Sequence, residues 1–327
     1  MATSLTSSGI TYYDNTTRST ARWGQRAIFG FGLRLGSTGS NVINRINNLG
    51  LQFSDTSGVG TARYALMAAG WAGDRAFFLQ GYNLVTTLNM VAYNLVDNLG
   101  TIVADQTGGG TGKRFGAAAS FDVGQARAIS GFGNNDASTS LSSTNIFSYN
   151  IVTSGANVAS DVSNVGTARS RLAAVTYGDD KALFAFGSTV GGASYLNLTS
   201  KFNSSGVYSS ESSTIASGRQ DLAGANYGGK QKAVFAFGFA GVQTTQRTYI
   251  DINGNVESDS TALGTARAAL AAASYGGDKA IFAYGEDPSL VDLNNTILVS
   301  NVGVVATSTT GGVGSTRTFL AAASYGS

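Results

Sequence analysis

The sequence predicts an all-β fold: a six-bladed β-propeller of four-stranded antiparallel blades, closed by pairing the N- and C-terminal strands in one blade. Three observations predict it. A unit of about fifty residues occurs six times, its strands are apolar on both faces, and the chain begins and ends inside incomplete copies of the unit. At 327 residues with 43% hydrophobic side chains, the chain is long enough to bury a large core.

The repeat is most visible in one phrase, which reads GTARAALAAASYGGDKAIFAYG at 264–285. Copies recur at 60–81, 166–187 and 217–238, with a looser copy at 110–133. A last, incomplete copy lies at 314–327. Every copy has a basic residue near its start, and these residues are spaced 48 to 56 positions apart: Arg63, Lys113, Arg169, Arg219, Arg267 and Arg317. This period is typical of propeller blades.

Each unit divides into four short extended segments. An Ala-rich first strand (270–275) leads through a Gly-containing turn to a second strand (280–285). Two further stretches (295–300 and 304–307) follow. They meet at a recurrent turn glycine: Gly50, Gly100, Gly155, Gly206, Gly254 and Gly303. The unit therefore predicts an antiparallel meander.

The second strand indicates that the sheets are stacked. Alternation places Phe282 and Tyr284 on one face and Ile281 and Ala283 on the other. A sheet that is apolar on both faces needs a neighbour on each side, which a ring of blades provides. The small first strand suits the crowded centre of that ring. Helix is the alternative for the Ala-rich segments, but about six residues bounded by glycine are short for one.

The ends of the chain predict how the ring closes. The C-terminus supplies a first strand (319–325) that lacks its second, and the N-terminus supplies a second strand (27–32) that lacks its first. Joined, they complete the sixth blade, whereas a solenoid would need terminal caps. We expect residues 22–327 to form the propeller and residues 1–21 to lie outside it.

The N-terminal segment is surplus to the ring. TSLTSSGITYY (3–13) resembles the turn at 200–210, with Gly9 matching Gly206, although the ring already has six such turns. We expect this extra strand to pair with a blade edge of its own chain or with another chain in a larger assembly. Its predicted pairing residues are Gly9, Ile10, Tyr12 and Tyr13.

An Arg before a small-residue strand, a Gly-containing turn and a strand of the form KAIFAYG together resemble the kelch repeat over residues 22–327. The chain departs from that family by lacking the second glycine of the usual doublet, as in Gly285-Glu286, and the usual Trp of the fourth strand. The near-identical repeats also resemble those of bacteriophage tail and fibre proteins. The kelch resemblance implies that the six repeated cations could recognise acidic peptides.

Composition excludes much catalytic chemistry. The chain has no His and no Cys, so imidazole bases, thiolate nucleophiles and the usual zinc ligands are missing, and we expect no metal and no cofactor. A net charge of +2 without a basic stripe argues against nucleic-acid binding. No signal-peptide core or membrane span is visible at the sequence level, so we expect no membrane insertion.

Two repeated positions are candidate sites. The six cations precede the innermost strands, so they either ring one mouth of the channel as a binding site or bond carbonyls in the neighbouring blade and fasten the ring. The aromatic residue that ends each first strand either stacks on sugars or belongs to the core: Trp71, Phe121, Tyr177, Tyr227, Tyr275 and Tyr325.

These observations lead to a first hypothesis of a non-enzymatic structural or binding module of a bacteriophage virion. It would be a tail appendage, fibre or capsid-surface protein, with other virion proteins and a host-surface glycan or protein as its partners. The alternative is a soluble, lectin-like propeller that binds glycans between its blades. A glycosidase that uses two carboxylates is the third reading, and it requires both groups in one cleft.

Overall fold

The computed structural model describes residues 4–6, 9–11, 17–18, 26–34, 38–72, 74–108, 110–121, 127–150, 155–163, 165–229, 231–261, 264–306 and 312–326. Six antiparallel sheets form the blades of a β-propeller. The predicted fold is confirmed. No helix among the described residues is long and apolar enough to cross a membrane.

Five blades are continuous meanders. Their strands, from the innermost outward, are Met67–Trp71, Arg75–Leu79, Ala92–Val96 and Gln106–Thr107 in blade 2; Ala117–Phe121, Arg127–Gly131, Thr144–Asn150 and Gly155–Val158 in blade 3; Ala173–Tyr177, Lys181–Ala185, Leu198–Phe202 and Tyr208–Ser213 in blade 4; Ala223–Tyr227, Lys232–Ala236, Gln246–Ile250 and Ser260–Thr261 in blade 5; and Ala271–Tyr275, Lys279–Ala283, Thr296–Val299 and Val305–Ala306 in blade 6.

Blade 1 joins the two ends of the chain, as the sequence predicts. Its inner strand Ala321–Tyr325 pairs antiparallel with Arg26–Gly30, which pairs in turn with Ile43–Ile46. The fourth strand is reduced to isolated bridges from Ile43 to Thr56 and from Ile46 to Gln52.

Three short elements lie in the loops between the blade strands. Two small hairpins connect second and third strands, at Leu33–Arg34 with Thr38–Gly39 and at Tyr82–Asn83 with Leu88–Asn89. One 3₁₀ turn spans Val190–Gly192.

The core lies between the blades because both faces of each sheet are apolar. In blade 6, Ile281 packs toward blade 1 while Phe282 packs toward blade 5. The six inner strands surround a narrow channel of about 60 Å³, lined by small residues such as Ala69, Ala119 and Ala273. This is well below the roughly 300–1,000 Å³ of a ligand pocket, so the channel interior has no room for a sizeable ligand.

The N-terminal segment forms a sheet of its own. Ser4–Thr6 pairs with Gly9–Thr11, which pairs with Thr17–Arg18. Gly9 and Ile10 lie in the middle strand, whereas Tyr12 and Tyr13 lie outside the described residues. None of these three strands pairs with a described blade strand.

Candidate functional site

The six repeated cations are buried, each with no exposed surface. Arg219 shows the arrangement. Its guanidinium donates to the carbonyls of Ser217 and Phe237 at 3.3 and 3.0 Å, to Thr248 Oγ1 at 2.8 Å and to Asp259 Oδ1 at 3.3 Å. All four partners lie in or beside the blade that follows the cation, so the charged head is satisfied within that blade.

Sequence reasoning missed the acids of this set. In five blades a carboxylate completes the cation's surroundings: Asp55, Asp105, Asp161, Glu211 and Asp259. Each follows its turn glycine by five or six residues, a regularity that would have revealed it. Burial raises the pKa of these carboxyls, but hydrogen bonds from Ser, Thr and Asn side chains and the nearby cations outweigh burial and hold each pKa below its usual value.

Each arginine also contacts the preceding blade through an aromatic ring. The guanidinium carbon lies 4.2 to 5.4 Å from the ring centroid, in the pairs Arg63–Phe31, Arg169–Phe132, Arg219–Phe186, Arg267–Phe237 and Arg317–Tyr284. The lysine, Lys113, follows the blade in which Gln80 takes the aromatic position. Cation–π stacking on one blade and hydrogen bonds to the next join neighbouring blades.

This geometry corrects the expectation that the six cations ring the channel mouth as a binding site. Their heads are buried and bonded inside the blades, so a ligand in the channel mouth cannot contact them. The alternative from the sequence, in which each cation bonds carbonyls in the neighbouring blade and fastens the ring, is right that carbonyls are bonded but wrong about which blade supplies them. The hydrogen bonds stay in the blade that follows the cation, and stacking reaches the neighbour.

The aromatics that end the first strands belong to the core and are at most 6% exposed. Five of them are covered by the turn glycine of the next blade: Phe121, Tyr177, Tyr227, Tyr275 and Tyr325. A Cβ on Gly100 would lie 2.7 Å from Tyr325 Cε2, and one on Gly254 would lie 2.7 Å from Tyr177 Cε2. Sugar stacking on these rings is therefore excluded, and close approach to the ring explains the recurrent glycine.

The channel mouth is built by the residue two positions after each cation. These residues form a closed ring of hydrogen bonds in which each N–H donates to the carbonyl of the preceding blade at 2.7 to 2.9 Å: Ala65, Phe115, Arg171, Asp221, Ala269 and Phe319. All six have positive φ, between 50° and 58°, although none is glycine. Such backbone is costly for residues with a Cβ.

The side chains on this ring differ in chemistry from blade to blade, whereas the following position is Leu in five of six blades. Arg171 stacks over Phe115 at 4.1 Å and approaches Phe319 at 5.5 Å. Phe115 and Phe319 make an edge contact with centroids 5.5 Å apart, and the ring of Tyr64 packs beside both. Aromatic and charged side chains thus lie next to each other at the mouth of the central channel.

Two carboxyls at the mouth have unusual electrostatics. Asp221 accepts two hydrogen bonds from Arg171 Nη1, at 2.9 and 3.0 Å. Burial raises the pKa of Asp221 despite that arginine. Burial also raises the pKa of Glu286, with Asp221 and Asp292 adding repulsion. Raised carboxyl pKa values are frequent at functional sites.

A second concavity lies between blades 5 and 6. It has a volume of about 530 Å³ and is lined by Tyr227, Tyr249, Arg247, Lys232, Glu257, Thr261 and residues 302–305. The Tyr249 hydroxyl donates to the Gly303 carbonyl at 2.6 Å, which joins the two blades. The volume lies within the usual range for ligand pockets.

The other charged candidates are local. Lys181 and Lys279 pair with their sequence neighbours Asp180 and Asp278 at 2.6 and 3.0 Å, with side chains more than a third exposed. Such solvated pairs contribute little stability. Within the described residues, no group of three or more carboxylates is arranged to hold a metal ion.

Many solved structures resemble the chain, and YjhT is one of them. The solved structure of YjhT superposes with a TM-score of 0.63 at 12% identity, covering 88% of this chain and 98% of that one. At this identity the likeness supports the propeller fold alone. No protein-family model and no curated protein matches the chain.

Proposed function

We propose that the protein is a non-enzymatic binding and assembly module of a bacteriophage virion, and that its binding surface is the channel mouth. The observation that carries the proposal is a contrast in sequence variation between the core of the blades and the channel mouth. Core and cation positions repeat almost unchanged around the ring, whereas the mouth position carries Ala, Phe, Arg or Asp. A position whose side chain changes from blade to blade, while its strained backbone is kept in all six, suits recognition better than packing.

The opposite end of the blades supports an assembly role. First strands run from the cation to the buried aromatic, so the turn glycines lie at the end away from the mouth. Exposed apolar side chains flank these turns in five blades, among them Leu49, Leu99, Val207, Ile252 and Val302. Repeated exposed apolar residues on one rim are typical of a surface that packs on another protein, here a neighbouring virion protein.

The separate N-terminal sheet also supports assembly. Among the residues that the structure describes, each of its outer strands, Ser4–Thr6 and Thr17–Arg18, pairs on one side only. Unpaired edges recruit strands from other chains.

The chain itself offers the variant that tests the mouth. Blades 2 and 6 carry Ala65 and Ala269, so alanine is compatible with the ring backbone. Replacing Phe115, Arg171, Asp221 and Phe319 together by alanine makes all six positions alike and removes the Arg171–Asp221 pair as a unit, which leaves no unpaired buried charge.

We expect this quadruple variant to keep its melting temperature within a few degrees and to lose at least tenfold in binding to host cells, measured with labelled protein. Cryo-EM of the source particle should find the propeller in the virion with its apolar rim against a neighbour. Unchanged cell binding by the variant, or absence of the propeller from the particle, would contradict the proposal.

A soluble glycan-binding protein is the second candidate, and the groove between blades 5 and 6 favours it. Tyr249 offers an aromatic face beside Arg247 and Glu257, a combination suited to sugar rings and hydroxyls. Blades 2 and 6 have leucine at the Tyr249 position, Leu95 and Leu298. If this candidate is right, the wild-type protein binds on a glycan array and Tyr249→Leu weakens that binding at least tenfold. Because Tyr249→Leu also removes the bond to Gly303, thermal denaturation must show that the variant is still folded at the assay temperature.

A further inference from the structure

The outer half of blade 5 departs from the repeat on the side that faces blade 6. Arg247 stands where the other blades have Ile, Tyr or Thr, and Tyr249 where they have Arg, Leu, Ile or Lys. Glu257, whose N–H donates to the Tyr249 carbonyl, stands where the other blades have an apolar residue or Ser. All three line the groove of about 530 Å³ between blades 5 and 6.

A fourth residue of this groove, Lys232, lacks the acid with which its counterparts pair. The matching basic residues of blades 2, 4 and 6 pair with the acid just before them in the sequence, as Lys181 does with Asp180 at 2.6 Å. In blade 5 the preceding residue is Gln231, and Lys232 forms no ion pair within the part of the chain that the structure describes. Its ammonium is therefore available to a ligand.

The other two charged groups of the groove also keep unused bonding capacity. Arg247 donates from Nε to Ser260 Oγ at 3.0 Å, and its Nη atoms bond no described residue. The Glu257 carboxylate accepts no hydrogen bond and forms no ion pair among the described residues. Two cations and one acid thus line one concavity without satisfying each other, so that a single ligand can satisfy all three.

The walls of the groove suit a ring-shaped ligand. The ring of Tyr249 is held by its hydroxyl, which bonds the Gly303 carbonyl at 2.6 Å, and by an edge contact with Tyr227, with centroids 5.9 Å apart. Arg247 Cζ lies 5.4 Å from the Tyr249 centroid. The valines of residues 302–305 form an aliphatic wall. A fixed aromatic ring beside a few polar groups is typical of a site for a small cyclic ligand such as a sugar.

The charges select the kind of sugar. The hydroxyls of a neutral sugar can donate to Glu257, but a neutral sugar leaves the guanidinium of Arg247 and the ammonium of Lys232 without a counter-charge. An anionic group on the sugar supplies that counter-charge and accepts charge-assisted hydrogen bonds from both cations. The combination of free cations and a free acid therefore favours a ligand that carries both an anion and hydroxyls.

We propose that the groove between blades 5 and 6 binds an acidic glycan. Arg247 and Lys232 hold its anionic group, Tyr249 packs against its ring, and Glu257 accepts from its hydroxyls. The inference rests on the second candidate function, glycan binding in this groove, and is independent of the channel mouth. The carboxylate of a uronic acid and the sulfate of a sulfated sugar share this chemistry.

The test measures binding of the full chain by isothermal titration calorimetry at constant ionic strength. The probes are oligogalacturonate, its neutral methyl ester and a sulfated galactose oligomer. We expect at least one acidic probe to bind at least tenfold more tightly than the methyl ester, and the tighter of the two acids identifies the anionic group. Equal binding of acidic and neutral probes would overturn the acidic ligand but leave glycan binding in place. No binding of any probe would overturn both.

Variants that copy other blades make the result specific. Arg247→Thr installs the residue of blades 3, 4 and 6, and it should reduce the preference for acidic over neutral probes at least tenfold. Glu257→Ala installs the residue of blades 3 and 6. It should weaken binding of the neutral methyl ester at least tenfold, because a hydroxyl acceptor is lost, whereas simple charge attraction predicts no change for a neutral probe.

Lys181→Gln is the control, because Lys181 is the matching lysine of blade 4 and lies outside the groove. It should leave binding of all three probes unchanged, and thermal denaturation should show that every variant is folded at the assay temperature. An Arg247→Thr protein that keeps the preference of wild type, or a Glu257→Ala protein that binds the methyl ester as wild type does, would overturn the proposal.

Discussion

At the residue scale, the buried cations explain most of the repeat. A guanidinium in the protein interior is tolerated only with its hydrogen bonds and charge satisfied. Arg219 therefore fixes the identity of Thr248 and Asp259 in its own blade and of Phe186 in the preceding one. The repeated arginine could be read from the sequence, but the direction of its side chain could not, because a mouth-facing and a buried cation give the same spacing.

The turn glycines give a residue-scale prediction. Gly100 has a φ of 84°, and a Cβ there would meet Tyr325 Cε2 at 2.7 Å. Gly100→Ala should therefore lower the free energy of unfolding by roughly 2–4 kcal/mol, from left-handed backbone plus overpacking against the ring. Urea denaturation measures the loss.

Gly241 is the matched control for that change. Its φ is 89°, but nothing lies within 4 Å of an added Cβ. Gly241→Ala should lower the free energy of unfolding by roughly 1–2 kcal/mol, because it adds only the strain of left-handed backbone at a residue with a Cβ. Equal losses in the two variants would show that the Tyr325 ring yields freely and that close approach does not explain the glycine.

At the element scale, the inner strand of blade 1 closes the ring. Ala321–Tyr325 forms a five-residue ladder with Arg26–Gly30 and brings Tyr325 into the packing with blade 2. Arg317, which precedes this strand, stacks on Tyr284 of blade 6. Covalent neighbours hold the other five blades together as meanders, whereas blade 1 depends on pairing between residues nearly 300 positions apart. Such long-range closure carries a high entropic cost before its contacts form.

Removing this strand should open the propeller. We expect a chain truncated after residue 313 to lose its cooperative thermal transition and to aggregate through the exposed edge of Arg26–Gly30. A synthetic peptide of residues 314–327 should restore the transition, as followed by circular dichroism. The same peptide with Tyr325→Ala should restore it poorly, and a truncated chain as stable as the full one would refute this account of closure.

At the scale of the whole molecule, five carboxylates stabilise the ring from its outer strands. Asp55, Asp105, Asp161, Glu211 and Asp259 all have pKa values below their usual range. A carboxyl with a lower pKa in the folded state stabilises it above the unfolded-state pKa, near 4. That stabilisation is lost as the pH falls through the folded-state values.

The protein should therefore lose stability cooperatively between about pH 4 and pH 2. Urea denaturation from pH 7 downward should show a falling free energy of unfolding in that window. Asp105→Asn removes one of the five carboxyls. The variant should therefore be less stable than wild type at pH 7, and its free energy of unfolding should fall less as the pH is lowered. A profile of the variant parallel to that of wild type would show that Asp105 does not contribute.

Sequence alone was sufficient for the blade number, the strand order and the closure by the termini, because these depend on period and alternation, which are local and repeated six times. It also located the cations, such as Arg63, and the turn glycines. Only the tertiary structure decided what these residues do. Burial, the acid partners and the ring of mouth residues around Arg171 and Asp221 arise from contacts between segments about fifty residues apart, and no spacing along the chain specifies which way a side chain points.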